Sequence, residues 1–157
     1  MKNDQVGAIR PLRAEDLPAL KAVIDANELF PSAMLDEMTA PFLAGEAGEE
    51  RWLTFVEGGP VALAYYVPER MTDGTHNLLL IAVHPDRHGK GVGAKLMAHA
   101  EADLAARGGR VLLVETSGLD AFARTRGFYR FIGYDEEARI REFYAAGEDK
   151  VVFRKAL

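Results

Sequence analysis

The stretch Val83-His84-Pro85-Asp86-Arg87-His88-Gly89-Lys90-Gly91-Val92-Gly93-Ala94 joins two segments of different periodicity. Before it, residues 78–83 are continuously apolar, which predicts a strand covered on both faces and ended by Pro85. After it, residues 91–107 place Val92, Leu96, Ala100 and Leu104 four apart, with Lys95, His99 and Asp103 on the other side. That spacing predicts an amphipathic helix, stopped by Gly108-Gly109. A glycine-rich turn lets the backbone curl so that successive N–H groups point inward. The first turn of the helix adds its own unpaired N–H groups and a partial positive charge. Together they form an anion site suited to phosphate, with Arg87, His88 and Lys90 adding cationic side chains. A plain helix-start loop is the simpler reading, but glycines at alternate positions 89, 91 and 93 exceed what a turn needs.

Phosphate-binding patterns compete for this loop. The P-loop requires Gly-Lys-Ser/Thr where Ala94-Lys95-Leu96 stands, so the magnesium-binding hydroxyl is missing. The dinucleotide fingerprint is matched by Gly89, Gly91 and Ala94, with Glu115 placed as a ribose-binding acid. Against it, five residues, 84–88, separate the strand from the first glycine, and only 64 residues follow Gly93.

Working outward, residues 6–12 read as a first strand and 15–27 as a helix with its stripe at Leu17, Leu20, Val23 and Ile24. Phe30-Pro31 breaks it, and Ser32 is a candidate N-cap for a second helix to Leu43. Residues 52–57 and 61–67 flank Gly58-Gly59-Pro60 as a hairpin. Residues 111–116 form another buried strand, 121–132 a helix closed by Gly133, and 134–142 with 150–155 a final antiparallel pair. The expected class is α/β (α+β): a mixed, mostly antiparallel sheet of six to seven strands, about four helices and one parallel crossover around the glycine loop. With no repeat or linker, residues 1–157 are expected to be one domain.

Composition narrows the partners. Hydrophobic residues make up 48% and charged residues 27%, a soluble balance. A net charge of −5 from 19 basic and 24 acidic residues argues against a general nucleic-acid binder. Absent cysteine removes disulfides and thiolate metal sites, and no metal is expected. No apolar run approaches a membrane span, and the opening residues carry no signal core, so a cytoplasmic protein without membrane contact is expected. Homodimer formation is left open.

The loop, read His88-Gly89-Lys90-Gly91-Val92-Gly93 after Ile81-Ala82-Val83, resembles the pyrophosphate loop of the GNAT superfamily of N-acetyltransferases, Arg/Gln-x-x-Gly-x-Gly/Ala, with His88 in the Arg/Gln place. Phe128-Tyr129-Arg130-Phe131-Ile132-Gly133-Tyr134 resembles the later helix of the family, and the order of elements agrees along nearly the whole chain. The resemblance implies acetyl-CoA as cofactor. It also implies direct transfer of acetyl, through a tetrahedral intermediate, to an amine of a small molecule or peptide. Coenzyme binding would fall on Ile81, Ala82, Val83, His88, Gly89, Lys90, Gly91, Val92, Gly93 and Ala94.

By the same resemblance Tyr129 is the acid that protonates the departing thiolate, a role open to a phenol of ordinary pKa near 10. Glu115, ending the run Val111-Leu112-Leu113-Val114, is the candidate base, with His76 or relayed water as alternatives. The family often has an Asn that holds the pantetheine arm, and Thr116 or Ser117 stands in its region. Glu28, Phe30, Met34 and Asp36, around the first two helices, are candidate acceptor-cleft residues. A non-catalytic acyl-CoA sensor and a nicotinamide-dependent oxidoreductase are the rival functions.

Overall fold

The computed structural model describes residues 7–157. Val6, the expected start of the first strand, and the charged opening residues lie outside them. In chain order the elements are β1 (Ala8–Pro11), α1 (Leu17–Ala26), α2 (Met34–Leu43), β2 (Arg51–Val56), β3 (Pro60–Pro68) and β4 (Thr75–Val83), then α3 (Val92–Ala106), β5 (Val111–Ser117), α4 (Ala123–Phe131), β6 (Asp135–Ala145) and β7 (Glu148–Ala156). The strands hydrogen-bond in the order β1-β2-β3-β4-β5-β7-β6. Only β4 and β5 run parallel, because α3 carries the chain back between them. This is the mixed, mostly antiparallel sheet with four helices that the sequence predicts. No helix among the described residues is long and apolar enough to cross a membrane.

The chain divides into two compact units, one running to Val67 and resuming over Leu80–Ala100, the other comprising Pro68–Leu79 and Glu101–Leu157. In the first, β1 pairs β2 from Ala8↔Val56 to Pro11↔Leu53, and β2 pairs β3 from Arg51↔Tyr66. The α1 stripe buries Leu20, Val23 and Ile24 in a cluster with Leu12, Leu35, Trp52, Leu63 and Ala82. Trp52 and Tyr65, directly opposed across β2 and β3, stack at 4.0 Å. In the second unit β4 and β5 are in register from Thr75↔Val111 to Leu78↔Val114, β5 pairs β7 from Val111↔Ala156 to Ser117↔Lys150, and β6 lies along β7.

Three local expectations shift. α2 starts without a side-chain cap: Ala33 is the N-cap, and Met34 and Leu35 N–H bond back to the Pro31 and Ser32 carbonyls. β4 begins at Thr75, so it takes in His76 and Asn77, both buried. Leu79 is 53% exposed, so the apolar run of β4 is not covered on both faces.

Ahead of α1, Asp16 is buried and held by a fork from Arg10, Nη1 to Oδ2 and Nη2 to Oδ1 at 2.7 Å each, while the Arg13 N–H donates to Oδ2 at 2.8 Å. Burial pulls the Asp16 carboxyl upward, but these donors outweigh it and hold it below the usual carboxylate range. A depressed folded value means stability that is present above the unfolded pKa, near 4, and is lost as pH falls through the lower folded one. Asp16→Asn keeps the shape and removes the charge. Losing about 2 kcal/mol of charge-assisted hydrogen bonding should lower Tm at pH 7 by roughly 4–8 °C for a chain of this size. In thermal melts the gap should narrow well below pH 4. Equal melting at pH 7 would refute the assignment.

Candidate active site

In the first unit the glycine loop leaves β4 at Val83. The Val83 carbonyl accepts two side-chain hydrogen bonds, from Asn27 Nδ2 at 2.9 Å and from His88 Nε2 at 2.7 Å. A carbonyl can only accept, so His88 carries its proton on Nε2. The His84 N–H reaches the Val61 carbonyl at 2.8 Å, and Pro85–Arg87 makes one 3-10 turn. Arg87 pairs with Glu57 at 3.2 Å. The chain then passes through Gly89 (φ 73°) and Gly91 (φ 79°), both left-handed, and at each the place of a Cβ faces open space. Lys95 N–H bonds to Gly91 O at 3.1 Å, so regular helical bonding starts directly after the cradle. Val92 is buried, Gly93 and Ala94 are half-buried, and Lys90 is exposed. A side chain at Gly89 or Gly91 would be strained by the positive φ and would stand in the open space over the loop, so the bare backbone left there suits a pyrophosphate. Ile81, Ala82 and Val83 close β4, beyond its last pair with β5 at Leu78↔Val114.

In the second unit Tyr129 is 4% exposed on α4. Its ring centroid lies 5.3 Å from that of Phe128, 5.5 Å from Phe153 and 6.0 Å from Tyr134. Burial pushes the Tyr129 phenol well above its ordinary value. Tyr134 is raised as well, by burial and then by donating to Glu101 at 2.8 Å.

Glu115, on β5, has different company. Its Oε1 accepts from Asn77 Nδ2 at 3.2 Å, and its Oε2 pairs with Lys150 Nζ at 2.8 Å. The same Asn77 nitrogen donates to Glu69 Oε1 at 3.0 Å. His76 sits one residue away on β4, with its Nδ1 buried and unpartnered. Ser117 Oγ accepts from the Leu119 N–H at 3.1 Å, and Arg126 Nη1 donates to the Ser117 and Leu119 carbonyls at 2.7 and 2.8 Å. Thr116 is buried beside it. In the first unit, Asp36 is ion-paired with Lys21 at 2.6 Å, Phe30 packs on the core cluster and Met34 is 49% exposed.

Sequence reasoning missed Asn27, Asn77, Glu69 and Lys150. Asn27 reaches across 56 positions from the end of α1 and Asn77 across 38 between β4 and β5, so only the folded chain brings them to their partners. The one available signal was a polar Asn77 directly ahead of an apolar run.

The sequence profile of the Acetyltransferase (GNAT) family matches residues 9–134, and the chain belongs to that family. It is therefore an acetyltransferase by family. Among solved structures it resembles a GNAT-family protein from Desulfovibrio desulfuricans, with 31% identity and a TM-score of 0.89 over 96% of this chain and 99% of that one. It also resembles the ribosomal-protein-S18-alanine N-acetyltransferase of Escherichia coli (22% identity, TM-score 0.75, 96% and 94% covered). A third is YncA of Salmonella typhimurium, solved with its cofactor acetyl-CoA (19% identity, TM-score 0.73, 97% and 94% covered). A search of curated proteins found no match.

Proposed function

We propose that this chain is an acetyl-CoA-dependent N-acetyltransferase, one GNAT domain to which both units belong, acting on an amine of a small molecule or peptide. The observation that carries the reading is the pair Gly89 and Gly91, left-handed and open, at the N-terminal end of α3. The family match across residues 9–134 and the cofactor of the Salmonella relative support it and favour coenzyme A over a dinucleotide.

Backbone N–H groups of Gly89, Gly91, Val92, Gly93 and Ala94 would hold the pyrophosphate, with Lys90 adding charge and His88 bracing the loop through Val83. Ile81, Ala82 and Val83 would offer backbone N–H groups to the pantetheine arm and to the acyl carbonyl. Bound acetyl-CoA supplies the acetyl group as an activated thioester. Glu115 takes the proton of the amine: its side chain is 27% exposed, whereas His76 is only 7% exposed. Both Glu115 oxygens already have donors, so accepting a proton loosens either Asn77 or Lys150. Tyr129 would hold the proton available to the departing thiolate. Its burial keeps that proton in place at any working pH but makes the phenolate costly. Its contribution therefore falls at the low end of the range for a general acid. Ser117 is occupied by its own loop, which leaves Thr116 to stand in for the pantetheine-holding Asn.

The deciding experiment is thiol release from acetyl-CoA with a panel of polyamines, amino acids, aminoglycosides and peptides with free N-termini. Release without an amine requirement would sink the proposal. Gly91→Asp puts a side chain and a negative charge into the cradle. Calorimetry should show acetyl-CoA affinity falling by about a hundredfold or more, and unchanged affinity would remove the anion site. In the same assay Tyr129→Phe should cut kcat by about a hundredfold with acetyl-CoA affinity intact, while wild-type turnover would return Tyr129 to the core. Glu115→Gln keeps the shape, removes the basic carboxylate and leaves one acceptor oxygen for the two donors Asn77 and Lys150. It should lower kcat/KM for the amine by about 10²-fold or more and leave acetyl-CoA binding alone, and an unaltered rate would pass the proton to water.

A further inference from the structure

The β5–β7 register sets Lys150 opposite Ser117 and Val152 opposite Glu115. Side chains two apart on a strand share a face, so the Lys150 stem runs diagonally to Glu115, and its Nζ reaches Oε2 at 2.8 Å. From β6, on the other side of β7, Phe143 meets the same ammonium, with Nζ 4.0 Å from its ring centroid. All of these residues belong to the second unit. The Lys150 side chain is 12% exposed and Phe143 is 52% exposed, so the ammonium is held at the rim of the surface rather than sealed inside.

A carboxylate beside an aromatic face attracts any alkylammonium, whether an acceptor brings it or the chain itself. A base that takes the proton of an amine needs that amine within hydrogen-bond reach. At Glu115 an amine already stands in that place, and it is Lys150. The other described lysines are placed differently. Lys21 pairs with Asp36, Lys155 pairs with Glu101, and Lys90 and Lys95 are exposed.

We infer that Lys150 is a self-acetylation site: with no acceptor present, the chain transfers acetyl from acetyl-CoA to its own Lys150 Nζ. The inference rests on the reading of Glu115 as the base. Glu115 Oε2 takes a proton from the ammonium, and the freed amine attacks the thioester carbonyl. The N–C bond forms and the C–S bond breaks. Of the two protons that nitrogen sheds, one ends on sulfur in the free thiol and the other passes from Glu115 to water. The product is a neutral amide, which cannot remake the ion pair. Each chain therefore reacts once, and Oε2 is left open to an acceptor.

The test incubates the full chain with acetyl-CoA and no amine, and follows it by intact mass and peptide mapping. The mass should rise by one acetyl group, mapped to Lys150, at a rate independent of protein concentration. Thiol release should stop at one equivalent per chain, unlike hydrolysis, which continues. Lys150→Arg keeps a cation against Glu115 and should take no acetyl group. Glu115→Gln should slow the marking by about 10²-fold or more, with circular dichroism unchanged in both variants. A coenzyme-free arm uses acetic anhydride, which selects lysines by exposure, so Lys90 and Lys95 should react there before Lys150. An unmarked Lys150 in a chain that acetylates added amines would overturn the inference and leave the N-acetyltransferase reading standing. So would acetyl groups spread over exposed lysines, marking that quickens with concentration, Glu115→Gln marked at the wild-type rate, or Lys150 reacting first with the anhydride too. Transfer neither to Lys150 nor to any amine would overturn both.

Discussion

The carbonyl oxygen of Val83 accepts hydrogen bonds from Asn27 and from His88, and the course of the glycine loop follows from that one atom. A strand that ends at the mouth of a loop leaves its last carbonyl without a ladder partner, and an unpaired buried carbonyl is costly. Here one donor comes from the C-cap of α1, which also bonds Val23, and the other from five residues further along the loop. The first fixes the strand end against the helix. The second turns the chain back on itself just before Gly89, so that Gly89 and Gly91 meet the start of α3 in their left-handed conformation. Neither bond need be worth more than about 1 kcal/mol. Their effect is geometric, since they decide which way the following N–H groups point.

The cluster of Arg87, His88 and Lys90 reads in sequence as the source of the loop's attraction for anions, but the structure distributes those side chains otherwise. Arg87 is neutralised by Glu57, and His88 spends its Nε2 proton inside the loop. Lys90 is exposed, where an ion pair with phosphate gains little. In the proposed reading, holding the pyrophosphate would fall to backbone N–H groups and the helix terminus, whose partial charges are fixed in place. In this chain the histidine at that position bonds the strand end, which needs one donor and no permanent charge.

The legible part of the fold is the part written in short-range signals. Gly58-Gly59-Pro60 marks the β2–β3 turn, the four-residue spacing from Val92 to Leu104 marks α3, and the apolar run before Pro85 marks β4. Motif spacing likewise marks the loop and Tyr129. What could not be read is whatever register decides. The β5–β7 pairing sets Val152 opposite Glu115 and Lys150 opposite Ser117, which brings the Lys150 ammonium beside the Glu115 carboxylate. No local pattern encodes that neighbour. Ser32 failed as a cap for a related reason: backbone carbonyls of Pro31 and Ser32 already satisfied the first N–H groups of α2. The exposure of Leu79 escaped too, since an apolar run says nothing about which of its faces is left open.

Tyr129 and Glu115 belong to the same unit, yet their surroundings differ in kind. Aromatic rings enclose Tyr129, and a charge at its oxygen would be stranded there, so its neutral form is favoured. Glu115 meets an ammonium and an amide instead, donors that suit a carboxylate and would be wasted on an apolar group. In the proposed reading the dry surroundings suit Tyr129 to donate a proton, and the polar ones leave Glu115 to accept one. The division comes from packing rather than from the residues' own chemistry. Phe128 and Phe153 give Tyr129 its dry side, and the β5–β7 register gives Glu115 its cation. If the two groups act as proposed, a change to either neighbour should alter the rate while both proposed proton-moving side chains stay in place.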